Sequence, residues 1–165
     1  MRAVEKLRPQ GEPAIQLCSV RAGTGLFGVD TRAICEVLGD AVPQRVPLAP
    51  DYIAGVLTYR GDVLAAVSLR TLLGLEPASR GHRVLVIEDA DGERFGLMVD
   101  GVGGMLSALE SELEPNPATL EAHCEAIFDG VFRMDAGLMT RLDPMRLRPT
   151  ELARSGVFQT KERKQ

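Results

Sequence analysis

The 165-residue chain has no tryptophan, two tyrosines and five phenylalanines. A core without large rings must be built from Val, Leu, Ile and Met. Its three cysteines, Cys18, Cys35 and Cys124, are an odd count with no CxxC spacing. That argues against a disulfide framework and fits a reducing compartment. The two histidines, His82 and His123, stand far apart, and zinc needs more nitrogen or sulfur ligands than either has nearby. No run approaches the roughly 18–20 apolar residues of a membrane span. The opening MRAVEKLRPQGEP lacks the apolar stretch of a signal peptide. Positive charge is also short: 19 Lys and Arg against 23 Asp and Glu leave a net charge of −4. This balance argues against nucleic acid as a partner. The one basic cluster, Lys161 to Gln165, reads as a solvated tail. The expectation is a cytoplasmic protein with no direct membrane insertion.

What is present is an ordinary apolar fraction, 45%, enough for one domain or two small lobes sharing a core. Residues 1–13 read as a flexible tail, 14–155 as the folded domain and 156–165 as a polar tail. Strands are expected at Ile15–Val20, Gly25–Val29, Ile53–Tyr59, Val63–Val67, Arg83–Glu88, Arg94–Val99, Val102–Leu109, Val131–Met134 and Gly137–Leu142. Val63–Val67 is apolar throughout, the pattern of a strand buried on both faces. Asp30 can cap a helical turn over Thr31–Val37, stopped by Gly39. Ser68 can cap Leu69–Leu73, with Gly74 ending it. Thr119–Phe128 has helical spacing, and Asp143-Pro144 starts a last helix. Nine short strands with two or three short helices predict a mostly β chain with barrel-like lobes. No tandem repeat is visible.

The search for chemistry yields little. His123-Cys124 would sit on a helix, where neighbours point about 100° apart, so His123 reads as exposed and Cys124 as buried. Gly101-Val102-Gly103-Gly104 follows a strand, but no helix opens behind it to hold a pyrophosphate. It reads as a bulge between strands. The Asp89–Glu93 turn lacks the distal ligand of a calcium loop. Ser68 and Ser107 have no nearby histidine. No catalytic residue, metal site or cofactor is expected. One residue stands out: Arg60, in an Arg60-Gly61 turn between two apolar runs, which neither strand nor turn requires. An Arg fork over apolar surface is common at interface hot spots. The same residue can instead pair with an internal carboxylate such as Glu36.

The segments FGVDTRAICEVLG, QRVPLAPDYIAGVLTYRGDVLAAVSLRTLLGL and RVLVIEDADGERFGLMVDGVGGML together resemble the CheW-type domains of bacterial chemosensory arrays. Phe27-Gly28-Val29-Asp30, Glu36, Arg60-Gly61, Leu69-Arg70, Gly96 and Val99-Asp100-x-Val102 follow that family's order and spacing. The resemblance implies two five-stranded SH3-like barrels on a shared hydrophobic core. It also implies a non-enzymatic adaptor recruited to membrane-associated receptor arrays. Its partners would be the cytoplasmic tip of a chemoreceptor and the regulatory domain of a CheA-type histidine kinase. Carried over by position, the receptor-binding residues would be Ile34, Gly55, Arg60, Val84, Val102 and Met105, and the kinase-coupling residues Glu36 and Val37. The departures are Tyr59 where the family has Leu, Ser68 where it has Asp, and the divergent Leu113–Asp129. They leave open a second reading, a relative that binds a receptor or scaffold without activating kinase, as a localisation factor or competitor. Such a relative could serve non-flagellar motility or another chemosensory-type pathway.

Overall fold

Short apolar runs punctuated by Gly, Asp and Pro become ten strands in the computed structural model, which describes residues 11–77, 82–135 and 137–158. Residues 1–10 of the expected tail, Ala136 and the basic run Lys161–Gln165 lie outside the described residues. The strands are β1 (Ala14–Ala22), β2 (Gly25–Asp30), β3 (Ile34–Gly39), β4 (Ile53–Tyr59) and β5 (Asp62–Ser68), then β6 (Arg83–Glu88), β7 (Arg94–Val99), β8 (Gly101–Leu109), β9 (Phe128–Met134) and β10 (Gly137–Leu142). The helices are short: α1 (Leu69–Leu72), α2 (Ala122–Glu125), α3 (Pro144–Leu147) and α4 (Pro149–Ser155).

The strands form two five-stranded sheets. One runs β8-β1-β2-β10-β9 and the other β3-β6-β7-β5-β4. In each, a single parallel pairing joins antiparallel neighbours: β2 with β10, and β5 with β7. All five strands of a sheet supply side chains to its own small core, so each sheet curls into a barrel-like lobe. In the first lobe that core holds Leu17, Ala108, Phe132 and Met139, with Leu26 against them. In the second it holds Leu57, Tyr59, Leu64, Ala66, Val84 and Val86, with Leu38 and Met98 beside them. The outward faces then meet in a third, larger core. There Val20, Phe27 and Val29 of the first lobe pack with Leu69, Leu85, Ile87, Phe95 and Leu97 of the second. Burial of these large apolar side chains, each stabilising by roughly 1.5–3 kcal/mol, holds the lobes together.

Several expectations are corrected. The helical turn at Asp30 is real but stops after Thr31–Ala33, with Asp30 Oδ1 accepting the Arg32 amide at 2.9 Å. From Ile34 the chain is strand β3, its alternate residues exposed. Period-two burial and pairing with β6 override the helical reading, and Gly39 ends a strand. Val63 is 69% exposed, so β5 is buried on both faces only towards its end. The expected helix at Thr119–Phe128 contracts to α2, and Phe128 begins β9. Pro149 divides the last helix, since it cannot donate to the preceding turn. Phe158 in the expected polar tail folds back, its ring 6.1 Å from Tyr52. Glu12 is tied to Ser111 through both carboxylate oxygens.

Two polar clasps bridge the lobes. Asp100, between β7 and β8, accepts from Arg70 and from the Gly23 amide, both at 2.7 Å through Oδ2. Arg148, at the start of α4, reaches Asp89 and Asp91 of the β6–β7 turn at 3.3 and 2.8 Å. The Asp89 side chain has no exposed surface. Its Oδ1 also accepts the Asp91 and Glu93 amides, so the buried charge is met on every side.

Candidate functional site

The β4–β5 turn presents Arg60. Tyr59 pairs with Asp62 across a two-residue loop. Arg60 and Gly61 both have positive φ, 48° and 84°, the mirror-image turn that suits the twist of a hairpin. Gly meets this without penalty, whereas Arg60 adopts a conformation that costs a non-glycine residue roughly 1–2 kcal/mol. Across the open side of the same lobe, Glu36 on β3 accepts from Arg60 Nη2 at 3.2 Å and from the Tyr59 hydroxyl at 3.3 Å, both through Oε1. The Arg60 guanidinium lies 5.2 Å from the centre of the Tyr59 ring. β3 and β4 are the two edge strands of this sheet, so the cluster closes the barrel. Arg60 keeps 71% of its side-chain surface exposed and Glu36 42%. The pair is screened by solvent and adds little to stability. It is free to meet a partner.

The remaining expected residues are distributed differently. Val37, next to Glu36, is 40% exposed on the β3 edge. Ile34 and Val102 come from opposite lobes, and both pack at the rim of the shared core. Met105 is 69% exposed on β8. It stands just beyond a bulge: Cys18 pairs with Met105 but Val20 pairs with Val102, one extra β8 residue in between. The Ser19 hydroxyl bonds the Gly104 carbonyl at 3.0 Å, and a Cβ on Gly103 would stand 2.4 Å from that hydroxyl oxygen. This is the bulge the glycine-rich motif predicts, and it re-aims the Met105 side. Val84 and Gly55 present no such surface. Val84 is fully buried in the second lobe's own core. Gly55 lets the β3–β4 loop lie against β4, because a Cβ there would stand 2.3 Å from the Gln44 carbonyl oxygen. Neither offers a side chain to a partner. Each shapes the lobe that does.

A cleft of about 260 Å³ opens beside the Asp100 clasp, lined by Arg45, Asp51, Ile53, Ser68, Arg70 and Asp100 among others. None of the six expected receptor-binding residues lines it. Burial pushes the Cys18 and Cys124 thiols up, which keeps both as unreactive thiols. His123 and Cys124 are both half-buried, with His123 Nδ1 3.2 Å from Glu121. The interlobe roles of Asp100, Arg70, Asp89 and Arg148 were not derivable from spacing. The available signal was charge in otherwise apolar surroundings, at a strand end and in the first turn of a helix.

A family model described as a CheW-like domain matches residues 16–150. The chain is 26% identical over 137 residues to a chemotaxis protein CheW of Rhizobium meliloti, covering 82% of this chain and 88% of that protein. It is 30% identical over 129 residues to protein PilI of Pseudomonas aeruginosa, covering 73% and 72%. Among solved structures, the scaffolding protein TtCheW of Thermoanaerobacter tengcongensis matches with a TM-score of 0.71 at 22% identity, over 79% of this chain and 90% of that one.

Proposed function

The chain belongs to the CheW-like domain family, and from that premise we infer that it is a chemotaxis adaptor coupling chemoreceptors to the histidine kinase CheA. Its partners are the cytoplasmic tip of a chemoreceptor and the kinase's regulatory domain. Arg60, Ile34, Val102 and Met105 contact the receptor, with Gly55 and Val84 shaping the lobe behind Arg60. Glu36 and Val37 serve the kinase-coupling side. The observation that carries this reading is Arg60 itself. It sits in a left-handed hairpin turn with its side chain against Glu36 and Tyr59, yet is 71% exposed. A charged side chain fixed in direction but left open to solvent suits a helical hairpin carrying apolar and polar stripes. The work is binding, with no turnover assigned to any residue.

Co-sedimentation with a receptor cytoplasmic fragment and CheA tests this. Arg60→Ala should weaken receptor binding about tenfold, the loss of one good interface contact, with the unfolding midpoint unchanged. Undiminished receptor binding by that variant removes Arg60 from the surface.

One observation favours the second reading. Glu36 Oε1 accepts both Arg60 and Tyr59, which occupies part of a residue assigned to kinase coupling. A protein of that kind binds receptor but leaves CheA inactive. Normal activation in a coupled kinase assay ends it.

A further inference from the structure

We propose that Tyr59 is a positioning residue that sets the direction of Arg60 and so tunes which receptor tip this chain accepts. The proposal rests on the adaptor reading and names a specificity determinant for the same surface.

The Tyr59 side chain touches both members of the Glu36–Arg60 pair. Its hydroxyl bonds Glu36 Oε1 at 3.3 Å, and its ring lies 5.2 Å below the Arg60 guanidinium. The rest of the ring is packed in the second lobe's core with Leu57, Leu64 and Val86, and the residue is only 6% exposed. A buried ring has two side-chain torsions, both fixed by its packing, so its hydroxyl marks a fixed point at the surface. Arg60 is the opposite case: long, exposed and, by itself, free among many rotamers. An exposed ion pair loses most of its value to the entropy of holding such a chain still. A ring beneath the guanidinium and a hydroxyl sharing the same acceptor oxygen remove much of that freedom before any partner arrives. A partner then binds with less ordering cost, and only if it meets Arg60 in the direction already set. Burial pushes the Tyr59 phenol up, so the hydroxyl remains a donor across the physiological range. Leucine, the residue that the resemblance places here, fills similar apolar volume but has neither the hydroxyl nor the π face.

The test uses the full chain and two variants, Tyr59→Phe and Tyr59→Leu. The first readout is the Arg60 side-chain proton spectrum of the free protein, where a ring beneath the guanidinium shifts the δ-methylene and Nε–H signals. The second is affinity for a helical-hairpin fragment of a chemoreceptor tip. Tyr59→Phe keeps the ring, so the unfolding midpoint should hold while the Arg60 signals move and broaden. Tip binding should weaken roughly threefold to tenfold, the size of one ordinary, partly solvated hydrogen bond. Tyr59→Leu should abolish the ring shift and weaken binding at least as much. Unchanged Arg60 signals in Tyr59→Phe overturn the positioning role whatever the binding result. Moved signals with wild-type affinity overturn the specificity role. If the wild-type chain itself ignores the tip, the adaptor reading fails, and the Arg60 spectrum still decides whether Tyr59 positions the arginine.

Discussion

The two lobes are the same architecture threaded differently. Each sheet reads antiparallel, antiparallel, parallel, antiparallel from one edge to the other. β3, β4, β5, β6 and β7 of the second lobe thus correspond to β8, β9, β10, β1 and β2 of the first. Register shifts recur at matching pairs, β3 with β6 and β1 with β8, and again β4 with β5 and β9 with β10. The helix after β5 is capped by Ser68 and the helix after β10 by Asp143. The second lobe is one continuous stretch. The first is split, its last two strands made before the second lobe and its first three after it. The difference teaches where each lobe's integrity lies. The second closes with local chain and an exposed Glu36–Tyr59–Arg60 tie. The first depends on sequence-distant segments and is held by the Arg141 pairs with Glu110 and Asp129.

The largest expected effect comes from the shared core. Phe95→Ala should cost about 3–5 kcal/mol, because Phe95 is fully buried between the lobes. Chemical denaturation should still show one transition, both lobes losing their common support together. Phe132→Ala removes a ring of similar burial from the first lobe's private core. It should cost a similar amount but let β9 and β10 exchange amide hydrogens ahead of β4 and β5. Equal protection of both hairpins in that variant would show the lobes to be one cooperative unit.

Asp100→Asn tests the clasp at the join. It keeps the shape but removes the charge that holds Arg70 and the Gly23 amide. We expect a loss of about 1–2 kcal/mol, the low end for hydrogen bonds to charged groups since the site is partly solvated. The helix caps give a closer match between lobes. Ser68→Ala should cost about 1 kcal/mol, as cap removals do. Asp143→Ala should cost more, because Asp143 caps the Met145 amide and also pairs with Arg146 at 3.2 Å. Thermal unfolding of the two variants side by side decides the order.

The smallest effect is acid sensitivity. Asp30, Glu110 and Glu114 are held below the usual carboxylate range, chiefly by hydrogen bonds from Arg32, Arg141 and Arg133. All three belong to the first lobe. A carboxyl lowered in the folded state binds its proton more readily when unfolded. Its contribution is therefore complete above the ordinary value and is lost as the pH falls through the folded one. Stability should decline below about pH 4, the ordinary carboxylate range, with β9 and β10 loosening before β4 and β5. Since Glu110 and Glu114 are exposed to solvent, the drift should be shallow and should shrink further in high salt.

Much of this molecule was legible from local chemistry. The hairpins around Arg60-Gly61 and Asp89–Gly92, the Ser68 and Asp143-Pro144 caps and the glycine bulge before Met105 all follow from backbone rules acting over a few residues. Arg60 stood out because neither strand nor turn required it, and its alternative partner Glu36 was nameable. β3 was missed because Asp30 gives a true cap signal, while the strand's alternation becomes meaningful only once β6 lies beside it. Val84 was named for receptor binding by positional carry-over from the resemblance, which carries no information on which way a side chain faces. Only the curl of the second lobe turns it inward.

Sequence by itself determined most of the elements and their order, since turn preference, capping and apolar periodicity act between near neighbours, and its ordered motifs carried the resemblance to the family. Tertiary structure alone decided that two lobes share one topology without a visible repeat, because equivalence lies in pairing and register while the side chains differ. It also decided that Tyr59, Glu36 and Arg60 meet. Those residues are 23 and 24 positions apart, and no local rule spans that gap. The closing of a sheet into a lobe brings its two edges together.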